Sequence, residues 1–228
     1  MIQERTASVL HAAIQEFIRT GEPISSGSLY HRYGFGIRPA TIRNELHQLT
    51  DDGYLEQPYH SAGRIPTDQG YEFFVERALA SDTAVPHVLK QCAAFFRESA
   101  WDELLQVLSN ELGILGVVSD VHKGEVHKEG LDDLMDHLHW ESRAEVHRVI
   151  QDFEEIDEHL EALRTALSDD PLEVFVGKRS PVTKSENLSV VAAEYAPGNR
   201  AVMILAIGPK RMDYQKVIAV FKQFHTLT

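Results

Sequence analysis

PATIRNELHQLTDDGYLEQPYHSAGRIPTDQGYEFF, residues Pro39 to Phe74, is the stretch that decides the fold. Pro39 suits the first position of a helix, where its missing N–H is not needed. Ile42, Leu46 and Leu49 recur at i, i+4 and i+7, so one side of that helix is apolar. The opposite side carries Ala40, Asn44, His47 and Gln48, flanked by Thr41 and Arg43. Asp51-Asp52-Gly53 ends the helix, since glycine accepts the left-handed backbone needed there. A short strand, a tip at Ser61-Ala62-Gly63-Arg64 and a second helix opening at Thr67 follow. The pattern is helix, two-stranded wing, helix. On its own, a polar outer face is ordinary solvation.

The upstream chain changes that balance. Thr6 to Thr20 is periodic, with Val9, Leu10, Ala13, Ile14 and Phe17 on one side and Gly21 at its end. Glu22-Pro23-Ile24 is a turn, Ser25 to Ser28 opens a short helix carrying Leu29, and Tyr33-Gly34 closes it. Three helices and a wing make a winged helix-turn-helix over residues 1–80, whose third helix enters a DNA major groove. Arginine forks to guanine, asparagine or glutamine pairs with adenine, and threonine or alanine methyls touch thymine. The expected DNA contacts are Thr41, Arg43, Asn44, His47 and Gln48 on the helix and Ser61, Gly63 and Arg64 in the wing. Arg38 at the helix start and Arg64 are expected on phosphate or in a minor groove.

Several of these stretches resemble one family. Ala40-Thr41-Ile42-Arg43-Asn44-Glu45, Gly53 to Pro58, Ser61 to Asp68 and Gly21-Glu22-Pro23-Ile24 are similar to the heat-inducible transcription repressor HrcA family, as is Ile207 to Tyr214 near the other end. The resemblance implies a repressor of heat-shock chaperone genes acting on an inverted-repeat operator in double-stranded DNA. It also implies the chaperonin as a modulating partner, and a GAF-like second domain.

Composition fits a small two-domain regulator. The chain has 228 residues and a formal charge of −13. Residues 1–80 hold seven arginines, no lysine and ten acids, a balance of −3 that leaves −10 to the remainder. That is no carpet for polyanions; it suggests a few placed contacts and weak, salt-sensitive non-specific binding. A single cysteine, Cys92, rules out an internal disulfide. No apolar run reaches membrane-spanning length and no signal peptide is evident, so a cytoplasmic protein is expected.

Beyond an expected linker at Ser81–Pro86, residues 86–228 alternate helix and strand. Helices are expected over Pro86–Glu98, Trp101–Glu111, Glu141–Leu167 and Met212–Phe224. Strands are expected at Ile114–Val118, Glu173–Val176, Leu188–Ala193 and Ala201–Ile207, the last two forming a hairpin about Pro197-Gly198-Asn199. This is an α+β domain with an antiparallel sheet. Family members carry a longer segment after the first of these strands, including an inserted domain that helps dimerisation. Here Ser119 to Gly124 runs almost directly into Glu125 to Leu131, which resembles a much later family position, so a reduced sheet is expected. A homodimer is still expected, because one recognition helix reads only a few base pairs. Its candidate surface is the helix around Glu141–Leu167 and the final helix with Val217, Ile218, Val220, Phe221 and Phe224.

Enzymatic chemistry finds little footing. His122, His127, His137, His139 and His147 lie near one another, but no HExxH or paired CxxC accompanies them, and no metal or cofactor is expected. Asp152, Glu154, Glu155, Asp157, Glu158 and Glu161 read as a solvated helix face. Cys92, inside an amphipathic stretch, reads as a small core residue. Two other readings stay open: a regulator controlled by a small ligand in the sheet domain, and a winged helix that binds protein. Arg38, Arg43 and Arg64 argue against the second.

Overall fold

Local rules start and stop the first helices. The computed structural model describes residues 2–138, 143–167, 172–197 and 200–228. Helix α1 (Glu4–Thr20) stops at Gly21, whose φ of 69° lets its N–H return to Phe17 O. Helix α2 (Ser26–Arg32) opens on a reciprocal cap between Ser25 and Ser28. Helix α3 (Pro39–Asp51) begins on its proline. Gly53, at φ 81°, turns the chain into strand β1 (Leu55–Glu56). This pairs antiparallel with β2 (Ile65–Pro66), Leu55 lying opposite Pro66. Helix α4 (Asp68–Ala80) follows Thr67, whose hydroxyl donates to Gly53 O at 2.7 Å and accepts from Gly70 N–H at 3.2 Å. Leu10, Ile14, Leu29, Ile42, Leu49, Leu55 and Phe74 are buried beneath these elements. The chain is a winged helix-turn-helix followed by an α+β antiparallel-sheet domain, and it divides into compact units Met1–Arg77 and Ala78–Thr228.

Two buried acids bind the first unit together. Glu45, on the apolar side of α3, accepts from Thr6 Oγ1 at 2.6 Å and Arg5 Nε at 2.8 Å, tying α3 to α1. Glu16 takes Arg19 at 2.7 Å and Arg32 at 3.2 Å, tying α1 to α2. The hydrogen bond from Arg19, helped by Arg32 and Tyr33, holds the Glu16 carboxyl below its ordinary range. A lowered carboxylate pKa adds stability above the ordinary glutamate range and loses it as pH falls through the lowered value. Glu16→Gln should therefore melt earlier than the parent at pH 7. The gap should close on acidification below the ordinary range; a gap constant with pH in thermal melts would show that charge plays no part.

The second unit is built around one sheet. A 3-10 turn (His87–Leu89), helix α5 (Cys92–Glu98) and helix α6 (Trp101–Leu112) precede it. Strands β3 (Leu115–Asp120) and β4 (Glu125–Glu129), helices α7 (Leu131–His137) and α8 (Arg143–Ala166), strands β5 (Leu172–Val176), β6 (Leu188–Tyr195) and β7 (Val202–Pro209), and helix α9 (Tyr214–His225) follow. The strand order is β4-β3-β7-β6-β5, all antiparallel, with Val191 opposite Ala206 in the central pair. Leu115, Val117, Leu188, Val190, Leu205 and Ile207 pack with Leu134 of α7 and Val149, Ile156 and Leu163 of α8. The other face meets α5, α6 and α9: a Cβ on Gly116 would strike Leu105, Tyr195 stacks edge-on to Phe96, and the Tyr214 hydroxyl lies 2.8 Å from Ser189 Oγ.

The structure corrects several expectations. The helix expected over Pro86–Glu98 is a 3-10 turn and a shorter helix. Strand β4 and helix α7 were not anticipated. Asp120 Oδ1 accepts the N–H groups of His122 and Lys123, both at 3.1 Å, and Gly124 has φ 66°, so Val121 to Gly124 is a tight hairpin turn, not a bare junction. Val217, Ile218, Val220, Phe221 and Phe224 of α9 are all buried within the unit, so they offer no surface to a second copy. Asp152 is not solvated: it is buried and accepts the N–H groups of Lys184 and Ser185 at 2.9 to 3.2 Å. Burial pushes its carboxyl up, against the pull of those donors. Nearby, Ser185 Oγ bonds the buried Glu145. Gly198 and Asn199 of the expected turn, His139, and the expected helix start at Glu141 lie outside the described residues.

Candidate nucleic-acid interface

Helix α3 has two unlike sides. Ile42, Glu45, Leu46 and Leu49 face the core, while Arg38, Ala40, Arg43, Asn44, His47 and Gln48 are exposed and Thr41 is half-buried. Among the described residues, the side chains of Arg38, Arg43, Asn44 and Gln48 take part in no hydrogen bond or ion pair. Such unspent donors on a rigid helix are what base-edge readout requires.

The wing is braced from within. Gln57 Nε2 donates to His60 O and Ala62 O, both at 2.9 Å, and closes the tip. Ser61 is exposed. Gly63 has a different reason from the one its place in a turn suggests. Its φ is not positive; instead a Cβ there would lie 2.5 Å from Ile24 O and 2.7 Å from Pro23 C. The bare backbone admits Ile24, which exchanges two 2.8 Å hydrogen bonds with Arg64. The Arg64 side chain is half-buried and donates to Thr50 Oγ1 at 3.0 Å and Ala62 O at 3.4 Å, with His47 Nδ1 3.5 Å from Nη2. Its guanidinium thus joins the wing to the end of α3.

Two features of this surface escaped the sequence. Tyr59, at the wing tip, is 64% exposed, the most exposed of the large hydrophobic residues among those described. The signal available was an aromatic after Pro58 in a turn. A trough of about 480 Å³ between α2 and α3 is lined by Tyr30, Tyr33, Phe35, Ile37 and Arg38. The arginines also divide in a way that spacing cannot show. Arg5, Arg19, Arg32 and Arg77 pair with acids and Arg64 with Thr50, so Arg38 and Arg43 alone stand unpartnered among the described residues of the first unit.

The other chemistry-bearing groups are engaged elsewhere. Cys92 is buried and its thiol is pushed up to about 12, out of nucleophilic range at neutral pH. His127 Nδ1 lies 2.7 Å from Asp102, His137 Nδ1 lies 2.8 Å from Asp133 O, and His122 accepts from Ala201 N–H at 3.2 Å. Among the described residues no three His, Cys, Asp or Glu side chains converge as a metal site would require. Among the described residues no helix is long and apolar enough to cross a membrane.

The chain is similar to known proteins over both units. The model of the HrcA protein C terminal domain matches residues 79–218. The heat-inducible transcription repressor HrcA of Nocardioides sp. is 48% identical over 77 residues, 34% of this chain and only 23% of that relative's length. That of Natranaerobius thermophilus is 26% identical across 96% of this chain and 94% of its own, and that of Thermodesulfovibrio yellowstonii is 23% identical across 98% and 96%. The Natranaerobius alignment runs over 321 positions, at least 93 more than the 228 residues here, so a long stretch of that relative has no counterpart. A crystal structure of a hypothetical protein at 2.2 Å resolution shares the fold over the whole of both chains, with a TM-score of 0.73 at 16% identity. With the domain model spanning most of the second unit and relatives aligned across both, the chain belongs to the HrcA family.

Proposed function

We propose that the protein is a sequence-specific DNA-binding transcription repressor that acts as a homodimer on an inverted-repeat operator of heat-shock chaperone genes. The observation that carries this is the exposed row of Arg38, Arg43, Asn44 and Gln48, unspent on a helix whose other side is core. The relatives' shared description as heat-inducible transcription repressors supports the regulatory class. Action on a chaperone-gene operator implies the cytoplasm, and the family resemblance supplies the chaperonin as modulating partner. Selection of bound DNA from a random pool tests the reading. An enriched inverted repeat is expected; no enrichment would remove it.

Arg43 and Asn44 are specificity residues in this scheme. Changing either to alanine should cost about 1–3 kcal/mol on the selected operator and little on random DNA. Equal losses on both would reduce them to phosphate contacts.

The homodimer follows from affinity. One helix reads too few base pairs, and an acidic chain gains little from bulk charge. Light scattering over a dilution series should give the mass of two chains plus one duplex with operator present. A monomer with and without DNA would remove the two-fold scheme. Control by a small ligand would need the open trough of about 390 Å³ lined by Phe96, Arg97, Ser99 and Arg200, since the cavity between α8 and the sheet, lined by Leu115, Val149, Asp152 and Ile207, measures about 10 Å³. That is room for one water at most.

A further inference from the structure

Arg64 is held at every level. Its backbone is bridged to Ile24, and its Nε donates to Thr50 Oγ1 at 3.0 Å. The Thr50 hydroxyl sends its own proton to Leu46 O at 2.8 Å, so it can only accept from Arg64. Another donor goes to Ala62 O at 3.4 Å. Nη2 is thereby set 3.5 Å from His47 Nδ1. A guanidinium has donors and no acceptor, so His47 Nδ1 must be the acceptor. In the neutral ring the proton then sits on Nε2. His47 is exposed beside Asn44 and Arg43, one turn back on α3, and among the described residues nothing accepts from its Nε2–H.

We propose that Arg64 is a positioning residue: it fixes His47 as a single hydrogen-bond donor, and His47 uses that Nε2–H to require a base with a major-groove acceptor, and so to reject cytosine, at one position of the operator. Guanine offers N7 and O6 as acceptors in the major groove, adenine N7 and thymine O4, whereas cytosine presents only an amino donor and is rejected. This rests on the reading of α3 as the DNA-reading helix.

The test uses the full chain and a pool of operator variants. In long-range proton–nitrogen spectra of the free protein, His47 should be the Nε2–H tautomer; a proton on Nδ1 overturns the proposal. His47→Ala identifies the base it reads, as the position where preference falls about tenfold. Arg64→Leu should flatten that same position by a similar factor while affinity for random DNA holds. The double variant should lose no more than His47→Ala alone. Thr50→Val, which leaves Arg64 and its bridge intact, should flatten the position partially and guards against misfolding of the arginine variant. Unchanged preference at that base in Arg64→Leu, additive losses, or a uniform loss with a salt slope lower by about 1 would make Arg64 a phosphate contact and overturn the positioning role alone. Failure of the parent chain to enrich any sequence would overturn the DNA reading as well.

Discussion

Gly63→Ala should lower the stability of the winged unit by about 2–4 kcal/mol, the combined scale of two lost hydrogen bonds and an overpacked contact. The added methyl would meet Ile24 O at 2.5 Å, Ile24 C at 2.7 Å and Pro23 C at 2.7 Å. All three are backbone atoms, so no side-chain rotation relieves the clash. Relief requires the segments at 24 and 64 to part, which breaks both 2.8 Å bonds of their bridge. Arg64 then leaves Thr50, and the wing is no longer fastened to α3. Gly34→Ala is the control, because a Cβ there meets nothing within 4 Å. Urea denaturation of both variants decides the matter. A loss for Gly63→Ala no greater than that for Gly34→Ala would show that the strand pair tolerates the shift.

Phe224→Ala should cost about 3–5 kcal/mol, the usual range for deleting a buried phenylalanine. Phe224 has no solvent exposure. Its ring lies parallel to Phe96 at 4.7 Å and edge-on to Tyr195 at 5.9 Å, so it joins α9 to α5 and β6. The surrounding rings are themselves pinned: Tyr195 donates to Phe221 O at 3.0 Å, which limits collapse into the hole. Denaturation followed by near-ultraviolet dichroism should report the loss. A cost below about 1.5 kcal/mol would mean that the cluster closes over the gap.

How much of this was legible depended on how local the cause was. The core side of α3, its start at Pro39, the turn at Gly53 and the opening at Thr67 follow from spacing and backbone preference within a few residues. Strands β6 and β7 were legible because both their faces are covered and the apolar run is nearly unbroken. Strand β4 was not. Glu125-Val126-His127-Lys128-Glu129 is an edge strand, hydrogen-bonded to β3 alone, and carries the charges that edges favour. Asp152 read as a solvated acid because its partners, Lys184 and Ser185, lie on another segment, and the links from Glu16 to Arg32 and from Glu45 to Arg5 and Thr6 likewise cross between elements. The outward residues of α3 were nameable from the sequence. The bracing of Arg64 was not, since it depends on Ile24 and Thr50 arriving at the same place.

The division of the arginines has a kinetic consequence. Five of the seven in the first unit are committed within the protein, and of the two left Arg43 is the proposed base reader, so a DNA backbone would meet chiefly Arg38. Sliding along a duplex depends on sequence-independent charge contacts that hold the protein near the helix between steps. With so few free cations on the proposed DNA-facing surface and a balance of −3 over the first 80 residues, one-dimensional excursions should be short. Such a protein would reach its target mostly by repeated arrivals from solution. Its occupancy would then follow the concentration of correctly folded copies, with little reservoir held on the rest of the chromosome.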